Sequence, residues 1–588
     1  MYDIICKGES MRITTSKSKN SESFYITKSF VDRNGKSTSK IVRKLGTLSE
    51  LSEMLNTDHD GVLKWCKEQA TIETEKDKEQ TSNIICSLSP TMRIPLNKQR
   101  SFNCGYLFLQ SLYYDLRLDN VCRNISSRHD FQFSLDAILS DLIYARILEP
   151  SSKRASYLFC QSLLEAPRYK EHQVYRALSI LAEESDYIQA EVFKNSNFLL
   201  KRNNRILYYD CTNYFFEIEE EDGLRKFGKS KENRPNPIVQ MGLFMDGDGI
   251  PMAFNLFSGN QNEQPSMKPL EQDIIRNFGF ERFVVCTDGG LGSETNRLFN
   301  DIQGRAFIVT QSLKKLKKEE RESAMNDEGW RRVSDNKPVD IREIRENPEQ
   351  FKDMLYYKEE PYGTPKVPGQ ILYVTYSPSY AIYQKNIRDK QIKRAEELIR
   401  AGAKGNGRHN PNDPARFVRK TAVTEDGEAA DKTHYALDLE RIENETMYDG
   451  YYAVCTNLVE ENVKDILAVS ERRWEIEESF RILKTDFRAR PVHLSREDRI
   501  KAHFLTCYLA LLLFRILEKK LGEEYTVNEI ITALRKMNLC EIEGTGYIPA
   551  YTRTQLTDDL HDMFGFNTDT QVIRKAAMRS IIRKTKER

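Results

Sequence analysis

The stretch from Arg205 to Leu313 constrains the fold more than any other. It opens with ILYYD, Ile206 to Asp210, a short apolar run ending on an acid. IVQMGLFMDGDGIPMAFNLFSGN follows, two apolar runs joined at Gly247-Asp248-Gly249, which reads as a pair of strands. SMKPLEQDIIRNFG has helical spacing and stops at Gly279. FERFVVCTDGG is again a short buried run ending on an acid, Asp288. A helix, LGSETNRLFNDI, and a strand, AFIVTQSL, complete the stretch. Strands followed by helix–strand–helix–strand predict an α/β core on a mixed sheet.

The chain, at 588 residues, is too long for one core and calls for about three or four domains. Residues 1–67 form a small unit in which Met11 to Leu51 alternates like short strands, with a hairpin turn at Asn34-Gly35. Lys28, Arg33, Lys36, Lys40, Arg43 and Lys44 make it basic, either a solvated hairpin or a phosphate-contacting module. Residues 68–98 are polar and read as a linker, and 99–204 as helices, a DNA-binding or a packing domain. Pro150-Ser151-Ser152 breaks that helical series and supplies a cap for the next helix. The core runs over 205–313 and resumes over 445–521. Between them lies an insertion, 314–444, with the strands ILYVTYSP and THYALDLE and a basic, glycine-rich loop, AGAKGNGRHNPNDPARF. Residues 522–588 form a C-terminal helical region.

Composition excludes little. Lys+Arg number 89 against Asp+Glu 88, so a nucleic-acid partner must be met by local basic patches and not by overall charge. The eleven cysteines are scattered singly and predict reduced thiols in a cytoplasmic protein. No histidine pairs with a cysteine at ligand spacing, so zinc is not expected. The N-terminus lacks the pattern of a signal peptide. FLTCYLALLLF, Phe504 to Phe514, is shorter than the roughly 20 residues of a membrane span and predicts a buried core helix, with no membrane partner.

Val463 to Phe487 predicts one long helix. Counting about 100° per residue from Ser470 puts Arg473, Glu477, Arg481 and Lys484 on a single polar stripe. Ile476, Phe480 and Leu483 make the apolar stripe beside it, while Glu475 and Glu478 point elsewhere. Trp474 lies just beyond the polar stripe, either a packing indole or a platform for an unpaired base. The alternative for the stripe is an amphipathic surface helix laced by i,i+4 ion pairs. Two acids at strand ends and a third on a helix that follows a strand are the parts of a two-metal site. Carboxylates are hard ligands suited to Mg²⁺ or Mn²⁺, and two such ions clamp the attacking and leaving oxygens of an in-line phosphoryl transfer.

These residues carry a resemblance to the bacterial insertion-sequence DDE transposases, within them the branch with a Tyr-x2-Arg-x3-Glu-x6-Lys signature. Arg473, Glu477 and Lys484 match that signature, and Ser470 replaces its tyrosine. YYDCTNYFF around Asp210 and CTDGGLGSETN around Asp288 are similar to the family's first and second acids. GKSKENRPNPIVQMGLFMDGDGIPMAFNLFSGN, ILEPSSKR and IKAHFLTCYLALLLF also resemble stretches of the family, and the likeness runs from about Phe24 to Leu521. It implies an RNase H-like core with a largely β insertion. It further implies that Asp210, Asp288 and Glu477 bind two Mg²⁺ (or Mn²⁺) ions and carry catalysis. Arg473, Lys484 and Arg481 would hold DNA phosphates. Lys229 and Lys231 are either further phosphate contacts or solvated loop lysines. The implied function is transposition: cleavage at the ends of an element and transfer of 3′-hydroxyl ends to target DNA, in a complex of at least two copies. The alternatives are an RNase H-like nuclease that hydrolyses without joining and an inactive transposase-derived DNA-binding protein. The implied setting is the bacterial cytoplasm.

Overall fold

The computed structural model describes residues 11–18, 21–31, 37–82, 89–280, 282–302, 304–401, 412–423 and 429–587. The Asn34-Gly35 turn and residues 402–411 of the glycine-rich loop lie outside them. The chain divides into two units, Met1–Lys98 with Glu541–Tyr547, and Gln99–Cys540 with Ile548–Arg588.

The first unit holds an antiparallel sheet of β1 (Arg12–Ser18), β2 (Ser21–Val31) and β3 (Ser37–Thr47), then α1 (Leu48–Leu55) and α2 (His59–Ser82). Thr47 and Glu50 close a capping box at the start of α1. The expected linker is therefore helix as far as Ser82. Val62, Cys66 and Ala70 recur every four residues and are buried, Val62 and Cys66 in one cluster with Phe24 and Leu51. That narrow stripe is masked by the charged residues around it.

The second unit begins with β4 (Ser101–Asn103) and six helices: α3 (Tyr106–Asp115), α4 (Leu118–Ser126), α5 (Leu135–Leu148), α6 (Lys153–Cys160), α7 (Glu171–Glu183) and α8 (Ser185–Leu199). Ser134 and Ser152 cap α5 and α6 with their hydroxyls. The sheet then follows. Its strands are β5 (Ile206–Phe215), β6 (Ile238–Asp246), β7 (Pro251–Ser258), β8 (Phe283–Thr287) and β9 (Arg305–Thr310). Helix α9 (Met267–Phe278) joins β7 to β8, and α10 (Glu294–Phe299) joins β8 to β9. In space the order is β7-β6-β5-β8-β9. β5 runs antiparallel to β6 and parallel to β8, which is parallel to β9. This is the mixed sheet that the run of strands and helices predicts.

The insertion departs from expectation. It contains α11 (Lys318–Met325), β10 (Arg331–Arg332), α12 (Ile341–Glu346), β11 (Tyr356–Tyr362), β12 (Gln370–Tyr376), α13 (Pro378–Arg400), β13 (Val418–Val423), β14 (Ala429–Leu437) and α14 (Leu439–Thr446). It is not largely β, since α13 alone spans 23 residues. Its strands β10–β12 extend the core sheet through β15 (Tyr451–Thr456), making nine strands in all. Trp330, Tyr356, Leu372 and Val374 share one apolar cluster with Phe307 and Cys455 of the core, so burial binds insertion to core.

After β15 come α15 (Val463–Glu471), α16 (Trp474–Arg481) and a π-helical turn, Ile482–Asp486. α17 (Glu497–Lys520) is long and apolar enough to cross a membrane, yet it is buried between α5, α7 and β7. Its Leu505, Leu509, Leu512 and Phe514 are fully buried, each worth about 1.5–3 kcal/mol. The C-terminal residues hold α18 (Val527–Lys536), α19 (Gln555–Phe564) and α20 (Lys575–Lys584), with short strands between them.

Candidate active site

Asp210 does not end its strand. β5 continues to Phe215, and after its first residue, Ile206, Asp210 is the half-buried position in a run of buried ones. Its partner is set by register. β5 and β8 pair in parallel through Tyr208 and Cys286 and no further. Carrying that register two residues past the end of the ladder brings Asp210 level with Asp288, and the Asp288 charge acts on Asp210. Each has one oxygen tied down. Asp210 Oδ1 accepts from the Cys211 N–H at 2.7 Å, and Asp288 Oδ1 accepts from the Leu291 N–H at 3.0 Å. Burial, with Asp288 beside it, raises the Asp210 carboxyl to about 6, against the pull of Lys231 and Arg473. Two crowded carboxylates with outward oxygens are the donor set of a hard divalent cation.

The helix carrying the third acid is broken. Arg472 and Arg473 form a tight turn with i→i−3 hydrogen bonds from Arg473 N to Ser470 O and from Ile476 N to Arg473 O. After Arg481 the backbone widens, with Phe487 N reaching Ile482 O. Across both departures, Arg473 and Lys484 each remain close enough to interact with Asp210. Tyr208 donates to Val469 O at 3.0 Å and ties α15 to β5, and α16 packs on β5 beside Asp210.

Glu477 stands at the rim. Its side chain is 65% exposed and lies 3.6 Å from Arg473. Asp210, Asp288 and Glu477 do not form a group whose ligand oxygens all lie within 4.8 Å of one another. The group that does so among the described residues is Asp558, His561 and Asp569. That trio is a hydrogen-bonded network. The Thr568 N–H donates to His561 Nε2 at 3.2 Å, which leaves the ring proton on Nδ1, and Arg553 bridges both carboxylates.

Three cations surround Asp210. Arg473 and Lys231 act on it directly, and Lys231 also lies 3.4 Å from Glu263 and donates to the Cys211 carbonyl. Burial lowers the Lys231 ammonium, but Asp210 and Glu263 more than offset this and its pKa is raised. Lys484, in the π-helical turn, is pushed down to about 8 by burial and by Lys231, with Asp210 opposing. Its ammonium lies 3.6 Å from Glu232. The remaining predicted residues stand apart from this group. Lys229 is exposed. Trp474 is 59% exposed and packs into no core. Arg481 is held by Glu478 and Asp486.

Sequence reasoning missed several residues here. Glu232 links Lys484 to Arg490, and nothing in GKSKEN singles it out. Tyr452, on β15, sets its hydroxyl 3.4 Å from Ser470 Oγ, which is buried. Glu475 is buried, on Arg472 at 2.7 Å and Arg515 at 3.7 Å. A Cβ on Gly249 would strike its carboxylate, and Gly249 also has φ +77°, so glycine is required there twice over. Gly247 of the same turn faces Asn203 and not Glu475.

Residues 216–513, just over half of the chain, match the family model of the transposase DDE domain. The chain belongs to this family. Asp288, Arg473, Glu477 and Lys484 of the transposase lie within the matched residues, and Asp210 lies just before them. Two solved structures are similar in part. One is the cryo-EM structure of the piggyBac transposase synaptic complex with hairpin DNA, at 9% identity over 82% of this chain and 85% of that one, with a TM-score of 0.35. The other is the Mos1 transposase paired-end complex with left transposon end, at 14% identity over 39% and 63%, with a TM-score of 0.12. No curated protein matches the transposase.

Proposed function

We propose that this transposase binds the double-stranded ends of its element, cuts them and transfers the 3′-hydroxyl ends to target DNA by two-metal phosphoryl transfer. The observation that carries the reading is that Asp288 and Arg473, the latter at the start of the helix bearing Glu477, both act on the carboxyl of Asp210 just past the last β5–β8 pair. The order β7-β6-β5-β8-β9, three antiparallel strands followed by two parallel ones, supports an RNase H-like core. The signature residues Arg473, Glu477 and Lys484 support the Tyr-Arg-Glu-Lys branch.

Asp210 and Asp288 would hold Mg²⁺ or Mn²⁺, and Glu477 would be the third carboxylate ligand. Such ions, when bound, lower the pKa of an attacking water or hydroxyl and offset charge on the leaving oxygen. Arg473, Lys484 and Lys231 fix the scissile strand by its phosphates and balance its charge. Lys229 and Trp474, exposed, and Arg481, once freed from Glu478, extend the DNA path. Joining two ends in one complex asks for at least two copies. The setting is the bacterial cytoplasm, on the nucleoid.

The test is cleavage of the DNA ends that flank the gene, with Mg²⁺ and with a chelator, followed by capture of a target plasmid. Asp210→Asn and Asp288→Asn should each lose cleavage while still binding the ends. Mg²⁺-dependent cleavage by either variant would remove that acid from the site. Cleavage without capture would favour the hydrolytic alternative.

A further inference from the structure

The segment Pro150-Ser151-Ser152-Lys153 lines a cavity of about 250 Å³ together with residues 488–494 and His503. Its charge is one-sided. Arg146 and Lys153 are 3% and 5% exposed, and neither has a carboxylate partner among the described residues. Arg146 spends its guanidinium on carbonyls, Phe487 O at 3.1 Å, Arg488 O at 3.3 Å and Ser151 O at 3.2 Å. It thereby clamps the two walls together. Lys153 Nζ makes no hydrogen bond at all. His503 Nε2–H donates to Ala489 O at 3.0 Å and adds no negative charge. Arg488 and His493 stand exposed at the rim. Ser152 and Lys153 line the cavity from the start of α6, at the positive end of the helix dipole, where Ser152 Oγ already accepts from the Ala155 N–H.

Arg146 is buried without a counter-charge and the buried Lys153 amine has no acceptor, so the site lacks the negative group that an anion supplies. We propose that this cavity is a phosphate-binding site, separate from the acids, that takes one tetrahedral oxyanion on Lys153 and the start of α6. Several donors converge from different sides, which suits an anion with several acceptor oxygens and not a halide. Burial and Arg146 hold the empty Lys153 down at about 7, and a bound phosphate restores its full charge. The phosphate has two sources, a DNA backbone or the free anion. A DNA source is within reach of the cutting site, because Arg490 of the same wall pairs with Glu232, which meets Lys484 beside Asp210.

The full-length protein is melted in phosphate-free buffer and titrated with inorganic phosphate, with sodium chloride at equal ionic strength as control. Wild type should show a saturable rise in Tm beyond chloride. Lys153→Met should lose that rise and should melt no lower than wild type without phosphate, since its unpaired charge is gone. Arg488→Gln, at the exposed rim, should weaken phosphate about tenfold, and its phosphorus NMR line broadening decides the matter if Lys153→Met does not fold. In a second arm, which rests on the DNA reading above, end duplexes carry one neutral methylphosphonate at successive positions. A position that weakens wild type but not Lys153→Met identifies a backbone phosphate as the ligand. A Lys153-dependent rise in Tm with no such position identifies the free anion, and both outcomes support the site. No phosphate-specific rise in wild type, or a rise retained in both variants, overturns it. The first arm reads this cavity whether or not the acids cut DNA.

Discussion

The two sides of α16 are two residues apart in sequence and opposite in their physics. On the inner side, Glu475 has a side chain only 6% exposed, between Arg472 and Arg515 and beneath the Gly249 turn. On the outer side, Glu477 is 65% exposed with Arg473 as its ion-pair partner. Glu475 and Arg515 are both buried, so water replaces neither of them, while Arg472 reaches the carboxylate from the half-exposed edge. The outer carboxylate can leave Arg473 at little cost, because an exposed i,i+4 pair is worth only about 0.3–0.5 kcal/mol. Burial, and not residue type, separates the glutamate held inside the fold from the one left in water with Arg473.

The comparison breaks most visibly at Glu477. Glu477→Gln should lower Mg²⁺-dependent cleavage at least about a thousandfold, the loss of several kcal/mol of charge stabilisation. Its melting temperature should stay put. Normal cleavage by that variant would put the working glutamate elsewhere on the helix.

Glu475→Ala inverts the pattern. Leaving Arg472 and Arg515 short of a partner should cost about 3 kcal/mol, the low end for a buried pair because Arg515 keeps Glu518 at 2.6 Å. Urea unfolding measures it, and the fraction that remains folded should cleave at the wild-type rate. A stable Glu475→Ala protein that cannot cleave would make the inner face catalytic after all.

Arg473→Ala and Lys484→Ala should leave stability nearly unchanged, slow cleavage, and each lower the salt slope of end binding by about one contact. Lys484 adds a pH signature. Its pKa is depressed to about 8, so its charge, and with it phosphate contact, is present below pH 8 and lost above. End binding measured with a chelator present should therefore weaken from pH 7 to 9 in wild type, and the fall should be shallower in Lys484→Arg. Equal pH profiles would take Lys484 off the DNA.

The smallest effect is expected at Glu478→Gln. Glu478 is paired with Arg481, and that hydrogen bond holds its carboxyl below the usual range. A depressed carboxyl stabilises above its unfolded pKa and loses that contribution as pH falls through its folded one. The variant should be weaker by about 0.5 kcal/mol near neutral pH, with the difference fading below pH 4.5. Cleavage should not change.

Much of the site was legible because its parts are local. ILYYD and FVVCTDGG are short apolar runs with one acid each, and strand pairing needs little more than that. The wheel put Arg473, Glu477, Arg481 and Lys484 on one stripe of a continuous helix; the structure breaks that helix twice, keeps Glu477 beside Arg473, and pairs Arg481 with Glu478 instead. Other features had no local signal. Asp210 reads as a strand end, yet β5 runs on through CTNYF because β6 pairs with it to Phe215. The insertion looks separable in sequence, while its strands complete the core sheet. The polar segment after Glu68 hides a helix behind a stripe of small buried residues.

By itself, then, the sequence determined the elements: which runs become strands, where α6 is capped, which helix is apolar on all sides. Periodicity and capping act over a few residues and are written in them. Tertiary structure alone decided the partners. It opposed Asp210 to Asp288 through a register that no single strand contains. It buried Glu475 and left Glu477 in water through an arginine forty residues away on α17. It also gathered Arg146, Lys153 and Arg488 around one cavity. Electrostatic environment is a property of what folds against a group, so charge and availability could be read only once the chain had closed.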